Sequence, residues 1–194
     1  MTDASGSTSQ ETQDIRLSLE GDGLAYQRIV ERHEQEIGQY VWRFTRVESD
    51  WEELVQEVFV EGYLSLRSYR GHAPLVHWLK RIATRVGYRY WRKRSKEKER
   101  APQTLEGQLE TLSDAGSLQA IESVEAGELV HYLLEKLSQR DRLVLTVVYL
   151  DGNSVAEAAT LLNWSQTMVK VQLHRARKKM ERLLQQETKS NENL

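Results

Sequence analysis

Apolar residues recur at steps of three and four along most of the chain, the period of amphipathic helices. Tyr26, Ile29, Val30, His33, Ile37, Val41 and Phe44 form one such side and predict a first helix beginning near Leu24. Tyr40 and Trp42 belong in or beside its core, and His33 on that face or at its margin. Leu54, Val55, Val58, Phe59 and Leu64 predict the inner face of a second helix. Ser49 with Glu52, or Asp50 with Glu53, has the spacing of a capping box at its start. Its outward positions, Glu53, Gln56, Glu57 and Glu61, make an acidic stripe, which suits a solvated face or a protein-docking surface. Arg67 to Pro74 reads as a loop, with Pro74 in the first turn of the next helix. In that third helix Leu75, Leu79, Ile82 and Val86 share one side. Lys80, Arg81, Arg85, Arg89, Arg92, Lys93 and Arg94 fill much of the rest, with Trp78, Tyr88, Tyr90 and Trp91 interleaved.

Beyond Pro102 the pattern lapses until about Ile121. The intervening stretch is rich in Thr, Gly, Ser and Gln, yet it also carries Leu105, Leu109, Leu112 and Leu118. It reads as a linker, either a bare tether or a segment that partly touches something. A second helical set follows: Val124 to Leu137, then Leu143 to Leu150, each with an apolar side. Ser138 with Asp141 and Ser154 with Glu157 mark helix starts, and Asp151-Gly152-Asn153 marks a stop. From Val155 onward come a short helix, a turn at Asn163 and a long basic helix capped by Ser165. Small Ala159, permissive Asn163 and apolar Val169 have the spacing of a helix-turn-helix. Lys170, His174, Arg175, Arg177 and Lys178 then project outward or along the edges of the second helix. Trp164 fits as a plug for a small core.

The expected fold is therefore all-α: two small helical domains joined by a flexible linker, the second containing a helix-turn-helix. The boundaries are a flexible tail over 1–23, a first domain over 24–100, a linker over 101–120, a second domain over 121–186 and a tail over 187–194. Two prolines and the abundance of Leu, Glu, Arg, Gln and Ala agree with helix.

Charge sharpens the picture. The net charge of −2 hides a segregation. Residues 31–60 hold eight acids and three bases, whereas 79–100 hold ten Lys or Arg and two acids. Lys170 to Lys179 holds five cations and no acid. Cations meet phosphates, and aromatic rings stack on unpaired bases. One polyanionic partner and one protein partner are expected. Without cysteine the chain has no disulfide, thiolate ligand or cysteine nucleophile. Its five histidines have no metal-ligand spacing, and no nucleophile–base order stands out, so neither an enzyme nor a metal site is expected. No apolar run is long enough to span a membrane, and Met1 to Gln13 does not read as a signal peptide. A chain that is not itself a membrane protein, in the cytoplasm, is expected.

Specific motifs carry a resemblance. Asp50-Trp51-Glu52-Glu53-Leu54-Val55-Gln56-Glu57-Val58-Phe59 resembles the "DAEDLVQEVF" stretch of bacterial sigma-70 family RNA polymerase sigma factors. Leu66 to Gly71 with Trp78-Leu79-Lys80-Arg81-Ile82-Ala83 is similar to their "FRG…WLYRIA", and Trp164 to Lys178 to the "GTVKSRLHRARK" end. Both domains in this order, with a short linker and no further domain, resemble the compact extracytoplasmic-function (ECF) type. The resemblance implies a transcription initiation factor that binds core RNA polymerase, recognises −10 and −35 promoter elements and helps melt the −10 region, without a cofactor. By position, Asp50, Glu53, Gln56 and Glu57 would grip the coiled coil of the largest polymerase subunit. Arg67, Arg70, Arg81, Arg85, Tyr88, Arg89, Trp91 and Arg92 would serve −10 DNA, and Lys170, Gln172, His174, Arg175 and Lys178 the −35 element. An anti-sigma factor is a further implied partner. Arg85 and Arg89 stand where the family often has Asn and Asp, which should strengthen phosphate contact. The alternative is a helix-turn-helix regulator of duplex DNA that acts without joining polymerase.

Overall fold

A computed structural model describes residues 4–100 and 118–191. The chain divides into two compact units, Met1–Trp91 and Arg92–Leu194, and every regular element among the described residues is helical.

Unit 1 contains α1 (Ala4–Leu19), α2 (Gly23–Val41), α3 (Glu48–Ser65), a 3₁₀ turn (Leu66–Ser68) and the greater part of α4 (Leu75–Arg100). Its core is the expected stripes brought together: Ile29, Ile37 and Val41 of α2, Phe44, Val58 of α3, and Leu75, Leu79, Ile82 and Val86 of α4, all buried. Each such side chain contributes about 1.5–3 kcal/mol by leaving water. Two polar side chains around this core reach backbone carbonyls. The Trp51 Nε1–H donates to the Gly38 carbonyl at 2.8 Å, and the Tyr26 hydroxyl to the Phe59 carbonyl at 2.5 Å.

The segment 1–23 was expected to be a flexible tail, and the structure corrects this: α1 occupies most of it. The polar composition misleads because α1 is fastened largely by charge. Asp14, only 2% exposed, accepts from Arg28 Nε at 2.8 Å and from Arg32 Nη2 at 3.0 Å. Burial opposes its ionisation, but the hydrogen bonds from Arg28 and Arg32 prevail and hold the carboxyl below its ordinary range. One turn earlier, Glu11 Oε1 lies 2.7 Å from Nε2 of buried His33. Asp22 then caps α2, accepting from the Leu24 and Ala25 N–H groups.

Neither capping box expected at Ser49 or Asp50 forms. The helix begins earlier, at Glu48 after Val47, so both residues lie inside it. Glu48 and Asp50 in its first turn complement the positive end of the helix dipole. The third helix continues unbroken to Arg100, and Pro74 stands just before its first residue.

Unit 2 contains α5 (Leu118–Glu135), α6 (Gln139–Leu145) running into a π-helical turn (Thr146–Leu150), α7 (Val155–Leu162) and α8 (Gln166–Asn191). Leu134, Val144, Val147, Ala158, Val169 and Ala176 form its buried centre. The Ser154–Glu157 capping box is complete, and Ser138 caps α6. Asn163 takes φ 54°, the left-handed conformation that the turn between α7 and α8 requires. Of the linker expected over 101–120, residues 101–117 lie outside the described residues and 118–120 open α5. The tail expected from 187 is helical as far as Asn191.

Gly87 is the most tightly packed of the described glycines. A Cβ there would lie 2.1 Å from Cδ1 of the Phe44 ring. Gly87→Ala should therefore destabilise the protein by about 1–3 kcal/mol through overpacking, even though alanine favours helix by about 1 kcal/mol. Gly127→Ala, with nothing within 4 Å of the added Cβ, should stabilise α5 slightly. Urea unfolding of both variants checks the contrast.

Candidate nucleic-acid interface

Burial sorts the cations of α4. Its inner stripe leaves Arg81, Arg85, Arg89 and Arg92 exposed and Tyr88 half-buried. Pairing then sorts them again. Arg89 Nη2 meets Glu57 at 2.8 Å and also contacts Glu61, both on α3. Partial burial opposes its charge, but the hydrogen bonds to the two carboxylates prevail and raise its pKa further. Arg89, expected to strengthen phosphate contact, is instead largely neutralised by the chain's own acids. Arg81 and Arg85 form none of the side-chain pairs found among the described residues.

Trp91 does not belong to a DNA-facing surface. It is 4% exposed, its Nε1–H donates to the Phe44 carbonyl at 2.7 Å, and its ring lies 4.9 Å from that of Phe44. Thr84, Gly87 and Trp91 follow one another at steps of three and four and are all buried, a second inner stripe that admits Phe44. Arg67 and Arg70 are exposed on the 3₁₀ turn and the loop after it. Tyr69 between them donates its hydroxyl to the Ala73 carbonyl at 2.7 Å and packs its ring 5.6 Å from Trp78, which stiffens the loop.

On α3, Glu53, Gln56 and Glu57 are exposed as expected. Asp50 is half-buried and accepts the Tyr90 hydroxyl at 2.7 Å. Leu64, expected in the core, is 75% exposed, and Val60 is 57% exposed. Glu53, Glu57, Val60 and Leu64 follow the helical spacing of one face, so the acidic stripe continues as an apolar one. That spacing was available in the sequence, and Val60 and Leu64 are the exposed apolar residues it could have found.

In unit 2 the geometry of α8 revises the expected reading set. Lys170, His174, Arg175 and Lys178 are exposed and lack side-chain partners among the described residues. Gln172 is different: it is half-buried, and its Nε2 donates to Asp141 Oδ1 at 2.5 Å. It shares the inner spacing of Val169, Leu173 and Ala176, which explains its direction. Asp141 is wholly buried and is the anchor of this helix. It also accepts from Lys179 Nζ at 2.5 Å and from the Ser138 hydroxyl at 2.7 Å. Burial opposes its charge, but the bonds from Lys179, Ser138 and Gln172 prevail and keep the carboxyl below its ordinary range. One carboxylate thus fixes the start of α6 against the middle of α8. Trp164 sits half-buried with the Arg140 guanidinium 5.8 Å above its ring. Val130, Leu134, Leu145, Tyr149, Leu150 and Met180, together with Arg177 and Glu181 of α8, line a largely apolar groove of about 480 Å³ that the sequence patterns did not reveal.

Among the described residues no cluster of His, Asp or Glu could hold a metal, and no helix is long and apolar enough to cross a membrane. An all-helical chain with a helix-turn-helix in one unit, and separate cationic and acidic faces in the other, defines a DNA-binding protein that also docks on protein. Comparison with known proteins makes the class specific. Residues 29–97 match Sigma-70 region 2, and residues 127–180 match Sigma-70, region 4. The chain is 31% identical over 158 residues to RNA polymerase sigma factor YlaC of Bacillus subtilis, covering 81% of this chain and 89% of that one. It is 27% identical over 174 residues to the ECF RNA polymerase sigma-E factor of Escherichia coli, covering 85% and 89%. The structure of CnrH in complex with the cytosolic domain of CnrY shares the fold, with a TM-score of 0.58 at 24% identity over 91% of this chain and 97% of that one. The chain belongs to the sigma-70 family of RNA polymerase sigma factors and is of the ECF type. It is a transcription initiation factor that binds polymerase and recognises promoters.

The Asp141 anchor has a pH signature. Its carboxyl is depressed in the folded state, so its contribution is present above the ordinary value of 3.8 and lost as pH falls through the folded-state pKa. Asp141→Asn should cost about 1.5–3 kcal/mol at pH 7 and should lose less stability than wild type between pH 5 and pH 2.5. Thermal unfolding across that range measures both effects.

Proposed function

We propose that the two units divide promoter recognition between them. In residues 24–100, Glu53, Gln56 and Glu57, with Asp50 at the edge and Val60 and Leu64 extending the face, dock on the coiled coil of the largest polymerase subunit. Acids offer charge complementarity to a basic partner, and the exposed aliphatic pair offers apolar area. Arg81, Arg85, Tyr88 and Arg92 meet the DNA strands of the −10 region, with Arg67 and Arg70 beside them. Capture of exposed bases on cationic and aromatic groups favours the melted state. Arg89 acts mainly by tying α4 to the docking helix.

In residues 121–186, α8 enters the major groove of the −35 element. Lys170 and Lys178 meet phosphates, while His174 and Arg175 reach base edges. Residues 101–120 link the two readers. Each reader alone is weak; docking on polymerase fixes their separation and makes them act together. Polymerase supplies the chemistry, so the chain works in the cytoplasm by binding alone and is not an enzyme. RpoE of Bartonella quintana, which has this fold, was solved in complex with the anti-sigma factor NepR. Restraint by an anti-sigma factor fits this chain as well.

The observation that carries the reading is the arrangement of faces. The acidic-apolar stripe of α3 and the cations Arg81 and Arg85 of α4 lie in one unit, and a basic stripe without side-chain partners among the described residues lies on the helix-turn-helix of the other, in the order of regions 2 and 4. Glu53→Lys should weaken binding to core polymerase about tenfold while leaving unfolding unchanged, because Glu53 has no side-chain partner among the described residues. Unchanged affinity in a competition assay against wild type would sink the docking assignment. Arg175→Ala should lose about 1–3 kcal/mol of discrimination between matched and scrambled −35 duplexes, measured with the polymerase complex.

A further inference from the structure

The outward stripe of α8 contains one residue of a different chemistry. Thr167, Val171, His174, Arg175 and Lys178 follow the i, i+4, i+7, i+8, i+11 spacing of a single helical face and are all exposed. Val171 is 45% exposed and is the only apolar side chain in that row. It lies in the second turn of the helix, close behind the Asn163 turn, in the part of a recognition helix that comes nearest the base edges. Its χ1 is restricted by β-branching, so it presents a fixed pair of methyl groups to whatever the helix meets. In the major groove the apolar feature that distinguishes one base from the others is the C5-methyl of thymine.

The geometry points to Val171 as a specificity-determining residue that packs against a thymine methyl in the −35 element. This rests on the reading that α8 enters the major groove there. Arg175 and His174 lie one turn further along the same face, so they reach adjacent bases while Lys170 and Lys178 hold the backbone. Val171 selects through shape and apolar contact; it has no hydrogen-bonding group, so what it reads is the presence of the methyl.

The test uses uracil, which pairs as thymine does and lacks only that methyl. The −35 element is first defined by aligning start sites made with the polymerase complex, and each thymine in it is then replaced singly by uracil. At one position the substitution should weaken binding by the wild-type complex about fourfold, the effect of one buried methyl group. Val171→Ala should bind the thymine duplex about as weakly and be indifferent to uracil at that same position. Val171 is on the surface, so the variant should fold normally. Indifference of wild type to uracil at every position overturns the proposal, as does an equal uracil effect in wild type and variant, or an element without thymine. A complex that binds matched and scrambled −35 sequences equally overturns the major-groove reading itself, a different outcome from loss of the methyl effect alone.

Discussion

The surfaces of unit 1 depend on the burial of the α4 inner stripe. Leu75, Leu79, Ile82 and Val86 leave water against α2 and α3, and a helix that hides those positions must turn its arginines outward. Close contact between Phe44 and Gly87 then sets how near the end of α2 comes to α4, and it draws Trp91 inward. Packing therefore makes the first selection among the basic and aromatic groups of this helix. Ion pairing makes the second selection: Arg89 is turned back to Glu57 and Glu61, while Arg81 and Arg85 stay available. The acids of α3 constrain α4 in turn, since exposed Glu57 holds Arg89.

Unit 2 solves a similar problem with one buried carboxylate. A long helix that contacts its own unit along one face could pivot about that face. Asp141 limits this by holding Gln172 and Lys179, two turns apart on α8, while capping interactions with Ser138 fix the carboxylate itself. The outward row from Thr167 to Lys178 is thereby presented in one orientation. Such a face can read sequence, because recognition in a groove depends on where each side chain falls along it.

Much of this was legible in the sequence, and the failures have distinct causes. Helical period placed the core of α2, α3 and α4, and local chemistry placed the Ser138 cap, the Ser154–Glu157 box and the Asn163 turn. All of these are decided within a few residues. Gln172 and Leu64 were misplaced even though the period was sufficient: each falls on the face that neighbouring positions give when followed turn by turn, opposite to the one it was assigned. α1 was not legible, because its anchor joins Asp14 to Arg28 and Arg32 across a turn, and ion pairs between separate helices leave no periodic trace. The same holds for Arg89. A cation in a basic run looks available until the carboxylates across from it are known. Trp91 shows a third cause, an aromatic residue whose environment is set by a glycine one turn away.

The central claim is that this chain directs polymerase to promoters using both units. Single-round transcription with purified core polymerase on genomic DNA fragments, with and without the protein, tests it most directly. Discrete start sites that require both proteins, preceded by two shared sequence elements at constant spacing, are the predicted result. Retardation of specific duplex DNA by the protein alone, with no new start site in the presence of core polymerase, would contradict the claim and identify a regulator that acts outside polymerase.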